Sequence, residues 1–163
     1  MRATWSARGQ TPTIESSGSW QSLTMAGLLL FTPKGTHPRI YFRLQPGSMD
    51  KDNFLDLLKD FKIELKGKKL LLIWDGLPAH RAKEVKEYIK LQKSWLRVER
   101  YPAYAPELSP VEFIWSPMKK RDLGNVPPKG LKHLKQIVRR SFKRIKADKV
   151  LLKSCLRKAG VLT

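Results

Sequence analysis

At 163 residues, with 33 Lys and Arg against 14 Asp and Glu, the chain carries a formal charge of +19 and is about the size of one ordinary domain. Its apolar content of 41%, with five Trp, excludes a wholly disordered basic tail. The longest apolar run, Met25 to Phe31, is far short of the ~20 residues a membrane-spanning helix needs, and a lone Cys155 excludes an internal disulfide framework or a cysteine-cluster zinc site.

No signal-peptide layout is expected at the amino terminus, so a reducing intracellular setting is the default. There, so basic a chain gathers polyanions, nucleic acid first among them. Charge alone does not say whether that partner is bound, cut or copied.

From Met1 to Gly18 the chain is polar and turn-rich. Trp20 to Phe31 reads as a strand, Thr32-Pro33-Lys34-Gly35 as a turn and Arg39 to Leu44 as a second strand, together an antiparallel hairpin. Asp52 to Ile63 sets Phe54, Leu55, Leu57, Leu58 and Phe61 at helical spacing, with Ser48 or Asp50 as the cap. Leu70 to Trp74 is a continuous apolar run stopped by Asp75-Gly76, the pattern of a strand buried on both faces. Arg81 to Leu91 follows as a charged helix and Trp95 to Val98 as a short strand. Pro102, Pro106 and Pro110 keep Tyr101 to Pro110 a loop.

A helix is expected from Pro110, then a linker over Gly124 to Gly130 and a basic helical tail. In that tail Leu131, Leu134, Ile137, Val138 and Ile145 form an apolar stripe. Between Lys129 and Lys158 twelve Lys or Arg face one acid, Asp148, so the outer side of the tail is cationic. The expected order is β-β-α-β-α-β-α-α, without internal repeats.

Two carboxylates stand out. Asp75 ends the apolar strand, where open α/β sheets place their ligands, and Glu112 follows the proline loop at the first turn of a helix. The 36 residues between them are enough for a crossover to return Glu112 to the neighbourhood of Asp75. Converging carboxylates suit Mg²⁺ or Mn²⁺, and such a centre can cleave phosphodiesters. Each acid also has a plain structural role open to it. Asp75-Gly76 is a good turn dipeptide, and Ser109-Pro110-Val111-Glu112 fits a capping box, with Ser109 at N-cap and Glu112 reaching back. His80 can cap, pack or bind phosphate, and His37, His80 and His133 are too scattered to suggest a histidine metal site.

The segment Leu-Leu-Leu-Ile-Trp-Asp-Gly-Leu-Pro-Ala-His-Arg-Ala-Lys-Glu-Val (70 to 85) resembles the second-aspartate block of mariner-type and insertion-sequence DDE transposases. Tyr101-Pro102-Ala103-Tyr104-Ala105-Pro106-Glu107-Leu108-Ser109-Pro110-Val111-Glu112, followed by Phe113-Ile114-Trp115, is similar to their third-acid block, Pro-x-Tyr-Ser-Pro-x-Leu-Asn-Pro-Ile-Glu with a Trp three residues on. Trp5 to Pro12 resembles the Trp-x-x-x-Gly-x-x-Pro turn of the insertion-sequence branch. The resemblance spans about residues 4 to 121.

It implies an α/β fold: a ribonuclease-H-like mixed sheet with flanking helices, here lacking its first, central strand, plus a basic C-terminal helical tail. The implied organisation is a partial catalytic domain over 1–123 and the tail over 124–163. The implied activity is metal-dependent cleavage of DNA at transposon ends and joining of the freed 3′ hydroxyl to target DNA. Asp75 and Glu112 would be the second and third acids, holding Mg²⁺ (or Mn²⁺). His80 and Arg81 would lie near the scissile phosphate, and Lys119, Lys120, Arg139, Arg140, Lys143 and Arg144 would contact the DNA backbone.

The departures are as informative. The family's first Asp and its strand, and the amino-terminal helix-turn-helix, have no counterpart here. Glu15, Asp50 and Asp52 are poor substitutes, Ser109 stands in place of Asn, and Pro117 is expected to kink or stop its helix. The chain alone is therefore expected to be marginal or inactive. Its expected partners are double-stranded DNA, at transposon ends and target, and an upstream transposase segment supplied in trans or by frameshift. A homodimer is a further candidate, no membrane is involved, and the expected location is a prokaryotic cytoplasm, at the nucleoid. The competing readings are a non-catalytic basic DNA-binding remnant and a stand-alone metal nuclease of another lineage.

Overall fold

The structure, a computed structural model, describes residues 7–10, 22–124 and 128–162. Half of the Trp5–Pro12 block falls outside the described residues, as do Glu15, the start of the strand expected from Trp20 and the middle of the Gly124–Gly130 linker. The chain divides into two compact units, one comprising the residues up to Gly47 and from Pro110 onward, the other Ser48–Ser109.

In the first unit, β1 (Leu23–Leu30) and β2 (Arg39–Pro46) form the expected antiparallel hairpin, with Gly27 opposite Phe42 and Leu29 opposite Ile40. Its turn is closed by Gly35 N–H donating to the Thr32 carbonyl at 2.7 Å, with the Thr32 and Thr36 hydroxyls 2.6 Å apart. Three helices complete the unit: α3 (Glu112–Asp122), α4 (Leu131–Ala147) and α5 (Lys149–Lys158). Their apolar sides meet the hairpin in a core that includes Leu29, Ile40, Ile114, Met118, Phe142 and Leu156. Phe42 stacks on Phe142 at 3.7 Å between ring centroids, and Trp115 meets Phe142 edge-on at 5.6 Å, an arrangement aromatic pairs favour.

The tail is two helices rather than one because Asp148 intervenes. It is the C-cap of α4, and its carboxylate accepts from Leu151 N–H at 2.8 Å to start α5. Pro117 does not stop α3, which runs on to Asp122. The capping box expected at Ser109 does not form. The N-cap of α3 is Val111, with no side-chain cap, and Glu112 is the first helical residue. Ser109 is committed elsewhere: its N–H donates to the Pro106 carbonyl at 3.0 Å, closing a 3-10 turn at Pro106–Leu108.

In the second unit, α1 (Lys51–Leu65) is capped by Asp50, whose carboxylate accepts from Asn53 N–H at 2.9 Å while Asn53 Oδ1 accepts from Asp50 N–H at 3.3 Å. β3 (Leu70–Trp74) and β4 (Leu96–Arg100) pair in parallel, Leu70 with Leu96 and Trp74 with Arg100. Between them lie a 3-10 turn at Pro78–Arg81 and α2 (Lys83–Leu91), which starts later than expected because the extended Ala82 (ψ 145°) interrupts the helix. Phe54, Leu58, Phe61, Leu70, Leu72, Val85 and Leu96 are buried.

β3 is not buried on both faces. Leu70 and Leu72 are covered, but Leu71 is 55% and Ile73 43% exposed. Among the described residues β3 pairs only with β4, and little packs over the face that carries Leu71 and Ile73. The two sheets, β1-β2 and β3-β4, have two strands each. No helix of the described residues is long and apolar enough to cross a membrane.

Candidate active site and cationic face

Asp75 follows β3 directly. The ladder is extended past its end by Tyr101 N–H, which donates to the Trp74 carbonyl at 3.0 Å, so the backbone entering Asp75 is held. Asp75 Oδ1 then accepts from Leu77 N–H at 3.2 Å, the local turn its side chain favours, and lies 3.0 Å from His80 Nδ1. The carboxylate is 62% exposed, which leaves its other oxygen open to solvent. The turn role and an outward-facing acid thus coexist in one residue.

His80 does not face solvent. Its side chain is 6% exposed, stacked flat on Trp74 (4.1 Å, 3°) and edge-on to Phe54 (4.3 Å, 86°). Phosphate contact through this ring, expected from the motif, requires a solvent-facing edge, and burial removes it. Nδ1 also lies 3.1 Å from the Asp75 backbone carbonyl. Both neighbours are acceptors when the carboxylate is ionised, so the proton is assigned to Nδ1. Nε2 is buried with no hydrogen-bond partner among the described residues. Arg81, beside it, is exposed.

Glu112 is exposed at the first position of α3. The seat of that helix is set from its other side by buried Ile114 and Met118 and by Trp115 against Gly27. Asp75 belongs to the Ser48–Ser109 unit and Glu112 to the other. Among the described residues no three His, Cys, Asp or Glu side chains gather where they could hold a metal ion. By donor type, two exposed carboxylates suit a hard divalent cation.

The cations sort into two groups. Lys119 and Lys120 on α3 and Arg139, Arg140 and Lys143 on α4 are exposed, on helices whose opposite sides are packed. Arg144 is engaged in a bidentate pair with Asp122, at 3.0 and 2.7 Å, and the Asp122 side chain is 11% exposed. Arg144's hydrogen bonds hold the Asp122 carboxyl below the ordinary carboxylate range, while the Arg144 side chain itself stays 44% exposed, so this cation differs from the others in carrying an acid partner. Burial pushes the Cys155 thiol up, as suits a packing residue rather than a nucleophile. Burial also raises the Tyr101 phenol.

The chain matches a family model described as DDE superfamily endonuclease over residues 1–135. The chain belongs to the DDE superfamily of endonucleases. No curated protein matches it by sequence. Among solved structures this DDE endonuclease chain is similar to the Mos1 mariner paired-end complex with Mn, at 15% identity and a TM-score of 0.66, covering 98% of this chain and 48% of that one. It is similar also to the catalytic domain of Mos1 mariner transposase (16%, TM-score 0.59, 84% of this chain and 76% of that one). A third match is the Mos1 strand transfer complex (14%, TM-score 0.65, 97% and 46%). The chain thus spans about half the length of the transposase in the paired-end complex, and these likenesses identify its fold as the ribonuclease-H-like α/β fold of a transposase catalytic domain. Neither the Trp74–Phe54 clamp on His80 nor the Asp122–Arg144 pair was anticipated. An aromatic just before Asp75 and a lone acid ending a basic helix were the available signals.

Proposed function

We propose that this DDE endonuclease chain supplies part of a metal-dependent centre that cleaves DNA at transposon ends and joins them to target DNA. The carrying observation is the pair of exposed acids, Asp75 at the end of β3 and Glu112 opening α3, inside the family match. Asp75 and Glu112 would hold Mg²⁺ or Mn²⁺. Such an ion, when bound, activates the attacking oxygen and stabilises the leaving one. The chain's own work is to keep two carboxylates in place on a strand end and a helix start, and to hold the DNA backbone through Arg81, Lys119, Lys120, Arg139, Arg140 and Lys143, contacts that position without reading sequence.

The first acid would come from a further strand on an upstream segment. Strand composition supports this. β2 and β4 carry Arg39 and Arg43, and Arg97, Glu99 and Arg100, as free sheet edges do, whereas β1 and β3 carry no charge at all although each has one edge unpaired among the described residues. Uncharged apolar edges are what natural sheets cover. On this reading the chain alone is inactive. The absence of a three-donor cluster among the described residues equally suits the second reading, a basic DNA-binding remnant without catalysis.

Nicking of supercoiled plasmid separates the two. With an Asp-bearing upstream segment restored, Mg²⁺ or Mn²⁺ should support nicking. Asp75→Asn and Glu112→Gln should each lower it by about 100-fold or more, the several kcal/mol a metal centre contributes, while DNA binding persists. Nicking retained in either variant would remove that residue from the centre, and no nicking under any condition would favour the remnant.

A further inference from the structure

We infer that His80 is a positioning residue for the Asp75 carboxylate, a role resting on the reading of Asp75 as a metal ligand. The imidazole is clamped between partners that leave it no freedom: Trp74 lies parallel to it at 4.1 Å and Phe54 stands perpendicular at 4.3 Å. Its one hydrogen-bonding edge, Nδ1, faces the Asp75 backbone carbonyl at 3.1 Å and Asp75 Oδ1 at 3.0 Å. One N–H therefore ties both ends of the same residue, main chain and side chain, and with Leu77 N–H on Oδ1 at 3.2 Å fixes the direction in which the second oxygen points.

The orphaned Nε2 discriminates this role from packing alone. A ring needed only to fill the space under Trp74 and Phe54 would be served by Phe, with no nitrogen buried without a partner. A buried polar atom lacking a partner is unfavourable, and what the imidazole offers in exchange is the Nδ1–H at Asp75. Outer partners that orient ligating side chains in this way typically change metal affinity by about 10- to 100-fold when removed.

The test uses the full chain and Mn²⁺, with free Mn²⁺ followed by electron paramagnetic resonance, in wild type, Asp75→Asn, His80→Phe and His80→Asn. Phe keeps the ring stack and lacks the donor; Asn loses the stack but carries an amide N–H near the position of Nδ1. His80→Phe should weaken Mn²⁺ binding by about tenfold or more with an unchanged unfolding temperature, and His80→Asn should regain most of it. Binding that is lost in Asp75→Asn but intact in His80→Phe would leave the metal reading standing and overturn the positioning role. Binding that Asp75→Asn does not weaken would remove the metal reading itself. Long-range ¹H–¹⁵N correlation on the metal-free chain decides the geometry independently: a proton on Nδ1 with bare Nε2 is expected, and an Nε2–H tautomer overturns the inference whatever the metal does.

Discussion

The seat of the helix that carries Glu112 rests on one missing side chain. Gly27 lies mid-strand in β1, and a Cβ built on it would meet Trp115 Cζ2 at 2.6 Å and Cη2 at 2.7 Å, closer than carbon atoms approach. The indole has little room to retreat, since its other neighbour is fully buried Phe142, itself stacked on Phe42. Gly27→Ala should therefore incur an overpacking penalty of about 1–3 kcal/mol, partly offset by the roughly 0.5–1 kcal/mol that Ala gains over Gly within a strand. The net expectation is a loss of about 1–2 kcal/mol. Trp115→Phe removes the two clashing carbons. In that background Gly27→Ala should be neutral or stabilising, a coupling of about 2 kcal/mol in a double-mutant cycle. Urea unfolding followed by far-ultraviolet circular dichroism measures the cycle, and hydrogen exchange along the β1–β2 ladder assigns the loss to this unit. An unchanged midpoint in Gly27→Ala, or an equal loss in both backgrounds, would refute the packing argument.

Two further expectations concern charge. The Asp122 carboxyl is held low chiefly by the side-chain hydrogen bonds from Arg144. Its folded value lies below the unfolded one of about 3.9, so its stabilisation is complete above that pH and is lost as pH falls through the folded value. Asp122→Asn should accordingly lower stability near neutrality by about 1 kcal/mol, modest because Arg144 remains partly hydrated, and should flatten the acid limb of a stability–pH curve; an unaltered limb would show that other carboxylates set it. Joint neutralisation of Arg139, Arg140 and Lys143 to Gln should reduce the slope of log affinity for duplex DNA against log salt by up to about 0.9 per lost phosphate contact. Neutralising Arg144 should add little to the slope and cost stability instead, and fluorescence anisotropy across salt concentrations distinguishes the outcomes.

How much of this was legible depended on how local the governing interaction was. The hairpin, the helix starting after Asp50, and β3 ending at Asp75 are written in short-range patterns: alternation, helical spacing, a cap three residues from its partner. Some readings changed for local reasons, the extended Ala82 before α2 and the Asp148 cap within the tail, and others through groups distant along the chain. Ser109 has the right neighbours for a capping box, yet it closes the Pro106–Leu108 turn and the helix caps at Val111 instead. Arg144 looks like one more cation on a basic face until Asp122, 22 positions away, claims it. Leu71 and Ile73 belong to an uninterrupted apolar run, and only what the fold packs over their face decides how far they are exposed.

By itself, then, the order of residues determined the elements, the excess of positive charge and the two acid-bearing blocks, because each is encoded within a dozen or so neighbouring positions. Tertiary structure alone decided which cation pairs with an acid and which ring is buried beside Asp75. His80 could have faced solvent on sequence grounds. Trp74 and Phe54 close over it, and burial is a property of the surroundings that the chain assembles, not of the residue that ends up inside them.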